Sequence, residues 1–458
     1  MEQRDLRNNN GLSEETLSVL RGRRNNGNEI RENSRQIKKW KATTIFTSLY
    51  HLINEELLKQ CHKELDGSKA EGIDTVNKKE YAENLEANIK DLVIKLKNKA
   101  YKPAPALRVY IPKDNGKMRP LGISIYEDKI VQLALKKILE AIYEPKFQDN
   151  MYGFRANNNC HKAIKYVHKS ISNRKINYIV DADIKGFFDH INHDWMIKFL
   201  EYNIKDPNII GLVKKYLKAG IMDKGKYVAT EEGSAQGNII SPVLANIYMH
   251  FVLVLWYKEI IEKRAKGDNF LVVYADDFIA GFQYKREAEA YYEALKNRMS
   301  KFGLKLEESK SRLLEFGRYA EQNRKSRGEG KPETFDFLGF TFYCSKTRKS
   351  FFCVKVKTSK KKFKQKIKAM KVWLYENRDI RTKDLMDKLK IKLLGHYRYY
   401  GISHNSDMIG TFRHRTLEYL FKILNRRSNK RSYNWIGFNE MLKYYKLPYP
   451  KIYFSLFD

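Results

Sequence analysis

Cysteine is scarce in this chain, and the few that are present exclude several classes of protein. The 458 residues contain only Cys61, Cys160, Cys344 and Cys353, and no two of them form a C-x-x-C pair. Cys61 and Cys160 are each followed directly by a histidine, a spacing poorly suited to placing both residues on one zinc ion. We therefore expect reduced, mostly buried thiols in a cytoplasmic protein, with neither a disulfide framework nor a structural metal.

Targeting signals and long apolar runs are also lacking. Residues 1–5 begin no apolar stretch, so no signal peptide is expected. The longest apolar segment, residues 242–257, is short and contains Asn246 and His250. It predicts a buried helix rather than a membrane span, and we expect no membrane partner.

Acidic residues are far fewer than basic residues in this chain. The chain has 88 Lys and Arg against 54 Asp and Glu, a formal net charge of +34. So large an excess indicates a polyanionic partner. An aromatic content of 13%, with 30 Tyr and 24 Phe, favours nucleic acid, because aromatic rings stack on bases. The length allows roughly two to four domains.

Two adjacent acids, Asp276 and Asp277, stand between two short runs of strand-forming residues in the stretch 271–281. This pattern predicts a hairpin with carboxylates at its turn, where their oxygens can hold hard cations. Aspartate also favours turns for reasons unrelated to chemistry. The dipeptide alone therefore leaves both interpretations open.

A second acidic group ends the strand predicted over residues 177–184. Asp181 and Asp183 lie on the same face of this strand because the side-chain period is two. Asp189, a little further on, could simply cap the following helix. If this strand neighbours the 271–281 hairpin, their carboxylates can share two Mg²⁺ ions about 3.5–4 Å apart. Such a pair activates a 3′-hydroxyl and stabilises the leaving pyrophosphate.

Two further stretches favour phosphate. Residues 107–123 read as strand, Asn-Gly turn and strand, and Lys113 and Arg119 could grip a triphosphate there or lie on an ordinary exposed hairpin. Residues 233–238 form a small-residue loop that lets backbone approach a ligand closely. We expect Ser241 to be the N-cap and Pro242 the first residue of the next helix, whose N-terminus favours phosphate.

The rest of the chain is mostly helical by its periodicity. A mobile basic arm over residues 1–38 precedes the first helix, and a basic, aromatic tail without a further domain follows the last. Residues 355–368 contain no acid, and lysines packed so densely need an anion. The predicted helices cover residues 40–65, 81–97, 127–143, 287–302, 358–377, 382–400 and 406–427.

Taken in order, these motifs resemble those of group II intron-encoded reverse transcriptases (maturases), from about residue 40 onward. The matching stretches are Ile-Pro-Lys at 111–113, Arg-Pro-Leu-Gly-Ile at 119–123, Tyr-Gly-Phe-Arg at 152–155, Asp-Ile-Lys-Gly-Phe-Phe-Asp at 183–189, Gln-Gly-Asn-Ile-Ile-Ser-Pro at 236–242, Tyr-Ala-Asp-Asp at 274–277, Phe-Leu-Gly-Phe at 337–340 and Gly-His-Tyr-Arg-Tyr-Tyr-Gly at 395–401.

The resemblance implies an α+β, right-hand polymerase fold with fingers, an antiparallel palm sheet and a helical thumb. The implied divisions are a basic arm at 1–40, fingers with an N-terminal extension at 41–175, palm at 176–348, thumb (X region) at 349–428 and a nucleic-acid-binding tail at 429–458.

The resemblance also implies the catalytic set. Asp183 and Asp276 would be the principal ligands of two Mg²⁺ ions, for which Mn²⁺ can substitute. Asp277 would support them and the Ile184 carbonyl would assist. Asp181 would not bind the ions itself but would support the residues that do.

Substrate contacts follow by motif position. Phe188 matches the aromatic gate that excludes a ribose 2′-hydroxyl, Lys113 and Arg119 match the triphosphate grip, and Gln236 lies where the incoming nucleotide stacks. Lys310 lies in a stretch that either supplies a proton to pyrophosphate or is only solvated.

The implied function is RNA-directed DNA polymerisation together with binding of intron RNA as a splicing maturase that supports retrohoming. The implied partners are an RNA template and primer, dNTPs, intron RNA in a ribonucleoprotein and a DNA target, in a bacterial cytoplasm and at the nucleoid. We expect no endonuclease module of the kind that many members of this family carry, and therefore expect the use of single-stranded or replication-fork DNA, or of a separate primer. Two alternatives remain: a domesticated or defence-associated reverse transcriptase, and a splicing cofactor without polymerase activity.

Overall fold

The computed structural model describes residues 44–112, 118–427 and 433–457. The predicted arm at 1–38, Lys113, the Asn-Gly turn and the start of the tail at 428–432 lie outside the described residues. The helices are Glu55–Glu64, Lys78–Glu83, Leu85–Lys97, Tyr126–Tyr143, Cys160–Asn173, His193–Glu201, Pro207–Leu217, Ser241–Arg264, Lys285–Lys301, Ala320–Ser326, Lys360–Glu376, Thr382–Tyr400, Ser406–Leu424 and Trp435–Tyr444, with short 3₁₀ turns at Tyr50–Leu52 and Phe187–Asp189.

Eleven strands in the described residues form three sheets. The strands are β1 (Ala106–Pro112), β2 (Met118–Ile123), β3 (Tyr178–Asp183), β4 (Ile221–Asp223), β5 (Lys226–Val228), β6 (Asn269–Tyr274), β7 (Asp277–Phe282), β8 (Arg312–Glu315), β9 (Phe335–Phe337), β10 (Phe340–Lys346) and β11 (Phe352–Thr358). The sheet orders are β2-β1-β4-β5, β6-β7-β3-β8 and β11-β10-β9. The second, which we call the central sheet, is antiparallel throughout, so the expected α+β class with an antiparallel sheet is confirmed.

The central sheet is covered on both faces, which explains why its strands are almost continuously apolar. Val180 and Phe278 belong to one hydrophobic cluster, which also contains the helices Tyr126–Tyr143 and Ser241–Arg264. Ile179 and Ile279 point the other way, into a second cluster shared with the C-terminal helices. The sheet is therefore held rigidly between two cores, and what lies at the ends of its strands is held with it.

The apolar segment at 242–257 lies within the helix Ser241–Arg264. This helix of 24 residues is long and apolar enough to cross a membrane by length and composition. However, 61% of its most apolar window is buried inside the protein, as expected of a core helix. Two of its turns, His250–Val254 and Tyr257–Ile261, have π-helical geometry.

The first predicted helix, at 40–65, is wrong over its described N-terminal part. Phe46 forms a bridge with Ile204, and the Phe46 N–H donates to the Asn203 carbonyl at 2.8 Å. The Asp206 carboxylate accepts from the backbone N–H of Leu49 at 2.6 Å. These tertiary contacts hold the segment out of the helix, which begins only at Glu55.

Three smaller expectations also differ. The helix predicted at 81–97 is two helices, Lys78–Glu83 and Leu85–Lys97, that meet at Asn84, where φ is −122° and ψ is 36°. Asp189 does not cap the following helix, because Asn192 accepts from Trp195 N–H there. The tail contains a helix that the sequence did not predict, Trp435–Tyr444, whose Phe438 is fully buried.

All four cysteines are free thiols, as predicted, but the expectation that most are buried is wrong: Cys61 is buried, whereas Cys160, Cys344 and Cys353 are partly exposed. The predicted domain boundaries remain predictions.

Candidate active site

Asp183 and Asp277 lie at adjacent ends of two paired strands. Asp183 is the last residue of β3, Asp277 is the first of β7, and the two are register partners. Directly opposed residues share a face, with Cβ atoms about 4.5–5.5 Å apart. The sequence could predict each strand separately, and the observed pairing brings the two carboxylates together.

Asp276 lies in the turn that joins β6 to β7. Tyr274 pairs with Asp277, so Ala275 and Asp276 form a two-residue hairpin loop. Ala275 has a φ of 59°, in the left-handed region that the first loop residue of a primed hairpin turn adopts. The predicted hairpin with an acid at its turn is confirmed, and the turn presents Asp276 beside the Asp183–Asp277 pair.

The back of this turn is supported by a segment whose role the sequence did not indicate. Tyr152 N–H donates to the Val273 carbonyl at 2.8 Å, and buried Asn246 donates to the Gly153 carbonyl at 2.8 Å. A Cβ on Gly153 would lie 2.4 Å from the Ala275 nitrogen. The glycine therefore lets the two backbones touch; its place in the Tyr-Gly-Phe-Arg motif was the only available signal.

The surroundings of Asp276 and Asp277 disfavour the ionised form of their carboxyl groups. Burial, with the nearby Asp183 carboxylate, raises the pKa of Asp276, while Arg119 and Lys310 lower it. Asp277 is the most solvent-exposed of the three, yet the surrounding protein and the neighbouring acids raise its pKa to about 7. So many carboxylates at one point need a compensating cation.

Lys310 supplies part of that compensation. Its ammonium group forms a very short ion pair with the Asp183 carboxylate, which raises the lysine pKa. Arg312 Nε lies 3.7 Å from Asp181 Oδ2, and Arg312 is also the register partner of Asp181 in β8. Burial raises the pKa of Asp181 to about 6. Asp181 thus faces a different cation from Asp183.

The Ile184 carbonyl points towards the hairpin. Glu307 N–H donates to the Asp183 carbonyl at 2.8 Å and Lys185 N–H donates to the Lys305 carbonyl at 2.9 Å, both on the β8 side. Backbone groups alternate between the two edges of a strand, so those of Ile184 face the β7 side, where Asp276 lies.

Within the described ranges, no group of three or more His, Cys, Asp or Glu side chains is arranged to hold a metal ion as it stands. The donor set nevertheless fits a divalent cation, because carboxylate oxygens are the ligands that Mg²⁺ prefers and those of Asp183, Asp276 and Asp277 meet at this end of the central sheet.

Two of the predicted substrate residues line a neighbouring pocket of about 330 Å³. Phe188 and Gln236 both line it, together with Gly122 of β2. Arg119 is exposed three residues earlier on β2, close enough for its charge to act on Asp276. Lys113 lies outside the described residues. Pocket and carboxylates are therefore neighbours.

The loop 233–241 holds this pocket together. Ser234 N–H donates to the Phe188 carbonyl at 2.7 Å, and Gly122 N–H donates to the Gln236 carbonyl at 2.6 Å. The expected N-cap role of Ser241 is wrong: Ser241 is already helical, and its hydroxyl instead donates to the Ala235 carbonyl at 2.9 Å. That hydroxyl fixes the loop rather than the helix end.

The chain matches the family described as "Reverse transcriptase (RNA-dependent DNA polymerase)" over residues 111–342. It is 39% identical over 220 residues to the group II intron-encoded protein LtrA of Lactococcus lactis subsp. cremoris, a stretch covering 47% of this chain and 36% of that protein. It is 32% identical over 251 residues to protein YkfC of Escherichia coli K12, covering 53% and 66% respectively. It is 26% identical over 113 residues to nuclear intron maturase 1 of Arabidopsis thaliana, covering 25% and 16%.

Proposed function

Because the chain belongs to the reverse transcriptase family, with group II intron-encoded proteins among its relatives, we propose that it is an RNA-directed DNA polymerase that also acts as an intron maturase. The observation that carries the proposal is the register pairing of Asp183 with Asp277 beside the Asp276 turn. The matched stretch covers only about a third of LtrA, so activity, substrates and partners are all part of the proposal.

Asp183, Asp276 and the Ile184 carbonyl would hold two Mg²⁺ ions, or Mn²⁺ in their place, with Asp277 supporting them. When bound, the ions supply activation of the primer 3′-hydroxyl and charge neutralisation at the leaving pyrophosphate. The chain's own residues orient the reactants: Arg119 and Lys113 hold the triphosphate and Gln236 stacks on the nucleotide. In this proposal Lys310, whose ammonium group pairs with Asp183, gives a proton to pyrophosphate.

Phe188 sets the sugar class in this proposal. Its ring packs edge-on against buried Phe187, with centroids 5.4 Å apart, and its other side faces the pocket. In this proposal the ring excludes a ribose 2′-hydroxyl, so the nucleotides used would be dNTPs.

An RNA template and primer, intron RNA and a DNA target are the proposed polyanions. The helix Lys360–Glu376 has no acid in its first turn and is capped by Ser359, whose hydroxyl accepts from Lys362 N–H. Lys364, Lys368 and Lys371 are exposed along it. Replacing these three with Gln should lower the slope of log affinity against log salt by about 0.7 per lost phosphate contact on single-stranded RNA.

The decisive experiment is cDNA synthesis on a primed RNA template with Mg²⁺. The wild type should extend the primer and Asp276→Ala should not, whereas Asp91→Ala, an exposed acid on the helix Leu85–Lys97, should extend normally. Equal synthesis by Asp276→Ala would refute the catalytic assignment. Phe188→Ala should incorporate ribonucleotides that the wild type rejects.

A splicing assay distinguishes the proposed polymerase function from the proposed maturase function. Asp276→Ala should still bind the intron RNA and stimulate its splicing, because the exposed lysines of the helix Lys360–Glu376 are unchanged. A wild type that stimulates splicing without any polymerisation would instead identify a splicing cofactor. A wild type that polymerises but ignores intron RNA would identify a domesticated or defence-associated enzyme.

A further inference from the structure

Gln132 is a buried polar side chain that the proposed chemistry does not use. It lies on the helix Tyr126–Tyr143 and is 1% exposed. Its Nε2 donates to Ser124 Oγ at 2.9 Å, and its Oε1 accepts from Ile239 N–H at 2.8 Å. Both ends of a fully buried amide are thus directed away from its own helix, towards two different segments.

Those two segments carry the predicted nucleotide contacts. Ser124 directly follows β2, the strand of Arg119, and its hydroxyl donates in turn to Asn238 Oδ1 at 2.9 Å. Ile239 and Asn238 belong to the loop of Gln236. One amide therefore joins the strand on one side of the pocket to the loop on the other.

The contact between β2 and the Gln236 loop has little room to relax. Gly237 has a φ of 109°, and a Cβ on it would lie 2.6 Å from the Gly122 carbonyl oxygen. A Cβ on Gly122 would lie 3.0 Å from the Ala235 Cβ. Because strand and loop touch backbone to backbone, a displacement of one moves the other.

We infer that Gln132 is a positioning residue that sets the separation between β2 and the Gln236 loop, and with it the fit of the incoming nucleotide. Gln132 does not line the nucleotide pocket, which is bounded by Gly122, Phe188 and Gln236. Gln132 therefore affects nucleotide affinity through the positions of β2 and the Gln236 loop, and it does not affect the position of the carboxylates. The inference rests on the proposed polymerase function.

Gln132→Met tests it, because methionine keeps the volume and removes both hydrogen bonds. The KM for dNTP should rise about tenfold, as expected for losing two buried hydrogen bonds, while kcat and the KM for primed template change less than twofold. The dissociation constant of dNTP from a complex whose primer ends in a dideoxynucleotide should rise by the same factor. Leu135→Met, on the same helix and fully buried, is the matched control and should leave these constants unchanged.

Ser124→Ala removes the hydroxyl that bonds to both Gln132 and Asn238, but it keeps the bond between Gln132 and Ile239 N–H. Because the loop stays tied to Gln132, the same KM should rise by only about threefold, and this variant guards against misfolding of the first. A lower melting temperature with unchanged dNTP affinity in both variants would reduce Gln132 to a structural residue and overturn the inference. If the wild type neither binds dNTP nor extends the primer, the proposed polymerase function itself would be overturned.

Discussion

Asp183 and Asp277 oppose each other across β3 and β7, and the geometry that makes them useful also makes them unfavourable for the folded chain. Like charges directly opposed on a sheet destabilise it. Burial, and after it the neighbouring Asp276 and Asp183 carboxylates, raise the pKa of Asp277 to about 7, so the surroundings favour its protonated form. The proposed cation site therefore costs the sheet some stability.

Asp277→Asn should therefore raise the melting temperature at pH 8 in metal-free buffer, because the neutral amide removes a repelled charge. The same variant should lose about 10- to 100-fold in polymerisation rate, as for a residue that supports metal ligands. Differential scanning calorimetry with and without Mg²⁺ provides the check. The stability advantage should shrink when Mg²⁺ is added, and a variant less stable than wild type without metal would contradict this account.

Gly153→Ala should impair catalysis indirectly, because Gly153 packs against the turn that carries Asp276. The added Cβ would meet the Ala275 nitrogen at 2.4 Å, so the turn of Asp276 must shift. Misplacement by about 1 Å can cost about 100-fold in rate, so we expect a loss of that order in single-turnover extension.

Gly211→Ala is the matched control for this variant. Gly211 lies within the helix Pro207–Leu217, and a Cβ there meets nothing within 4 Å. Alanine should slightly stabilise that helix and leave the rate unchanged. Normal extension by Gly153→Ala would mean that the turn tolerates the displacement.

Lys310→Gln separates the two interpretations of this lysine. Breaking the ion pair frees the Asp183 carboxylate, so half-saturating Mg²⁺ should fall by about two- to fivefold, the range of an exposed ion pair. If Lys310 also protonates pyrophosphate, the maximal rate should fall about 100-fold or more. Lys305→Gln, an exposed lysine in the same segment, should change neither quantity. A lower Mg²⁺ requirement with an unchanged rate would leave Lys310 as a counter-ion only.

The sequence predicted the elements of this site better than their contacts. Alternating and helical periodicity located β3, the β6–β7 hairpin and the helix Lys285–Lys301 to within a few residues, because those signals are local. Nothing local places Asp183 opposite Asp277, and only the ordered motifs of the family implied that they meet. The backing of the turn by Gly153 and the buried joint of Gln132 depend on which segments pack together, and a single residue type carries no signal of that.

The errors have the same origin. The stretch 44–49 has helical periodicity, but the bridge of Phe46 to Ile204 overrides it. Ser241 has the residue type and position of an N-cap, yet its hydroxyl is taken by the loop before it. In both cases a tertiary partner decided what the local pattern left open.

Asp128, a buried acid outside the carboxylate cleft, gives a stability prediction. Asp128 is 1% exposed; its carboxylate accepts a very short hydrogen bond from the Tyr101 hydroxyl and one from Ala104 N–H at 2.9 Å. Burial raises its pKa to about 7, and the Tyr101 bond partly opposes this.

The free energy of unfolding should consequently fall as pH rises through this window. An unfolded aspartate ionises near about pH 4, whereas the folded protein keeps Asp128 protonated up to about pH 7. The folded state thus binds more protons between these values, and the contribution present below pH 4 is lost by pH 7, roughly 2–4 kcal/mol. Urea titrations from pH 4 to pH 8 should show a smaller decline for Asp128→Asn than for wild type. Tyr101→Phe removes the bond that lowers this pKa, so its decline should extend to higher pH. Parallel curves for wild type and Asp128→Asn would show that Asp128 does not titrate in this range.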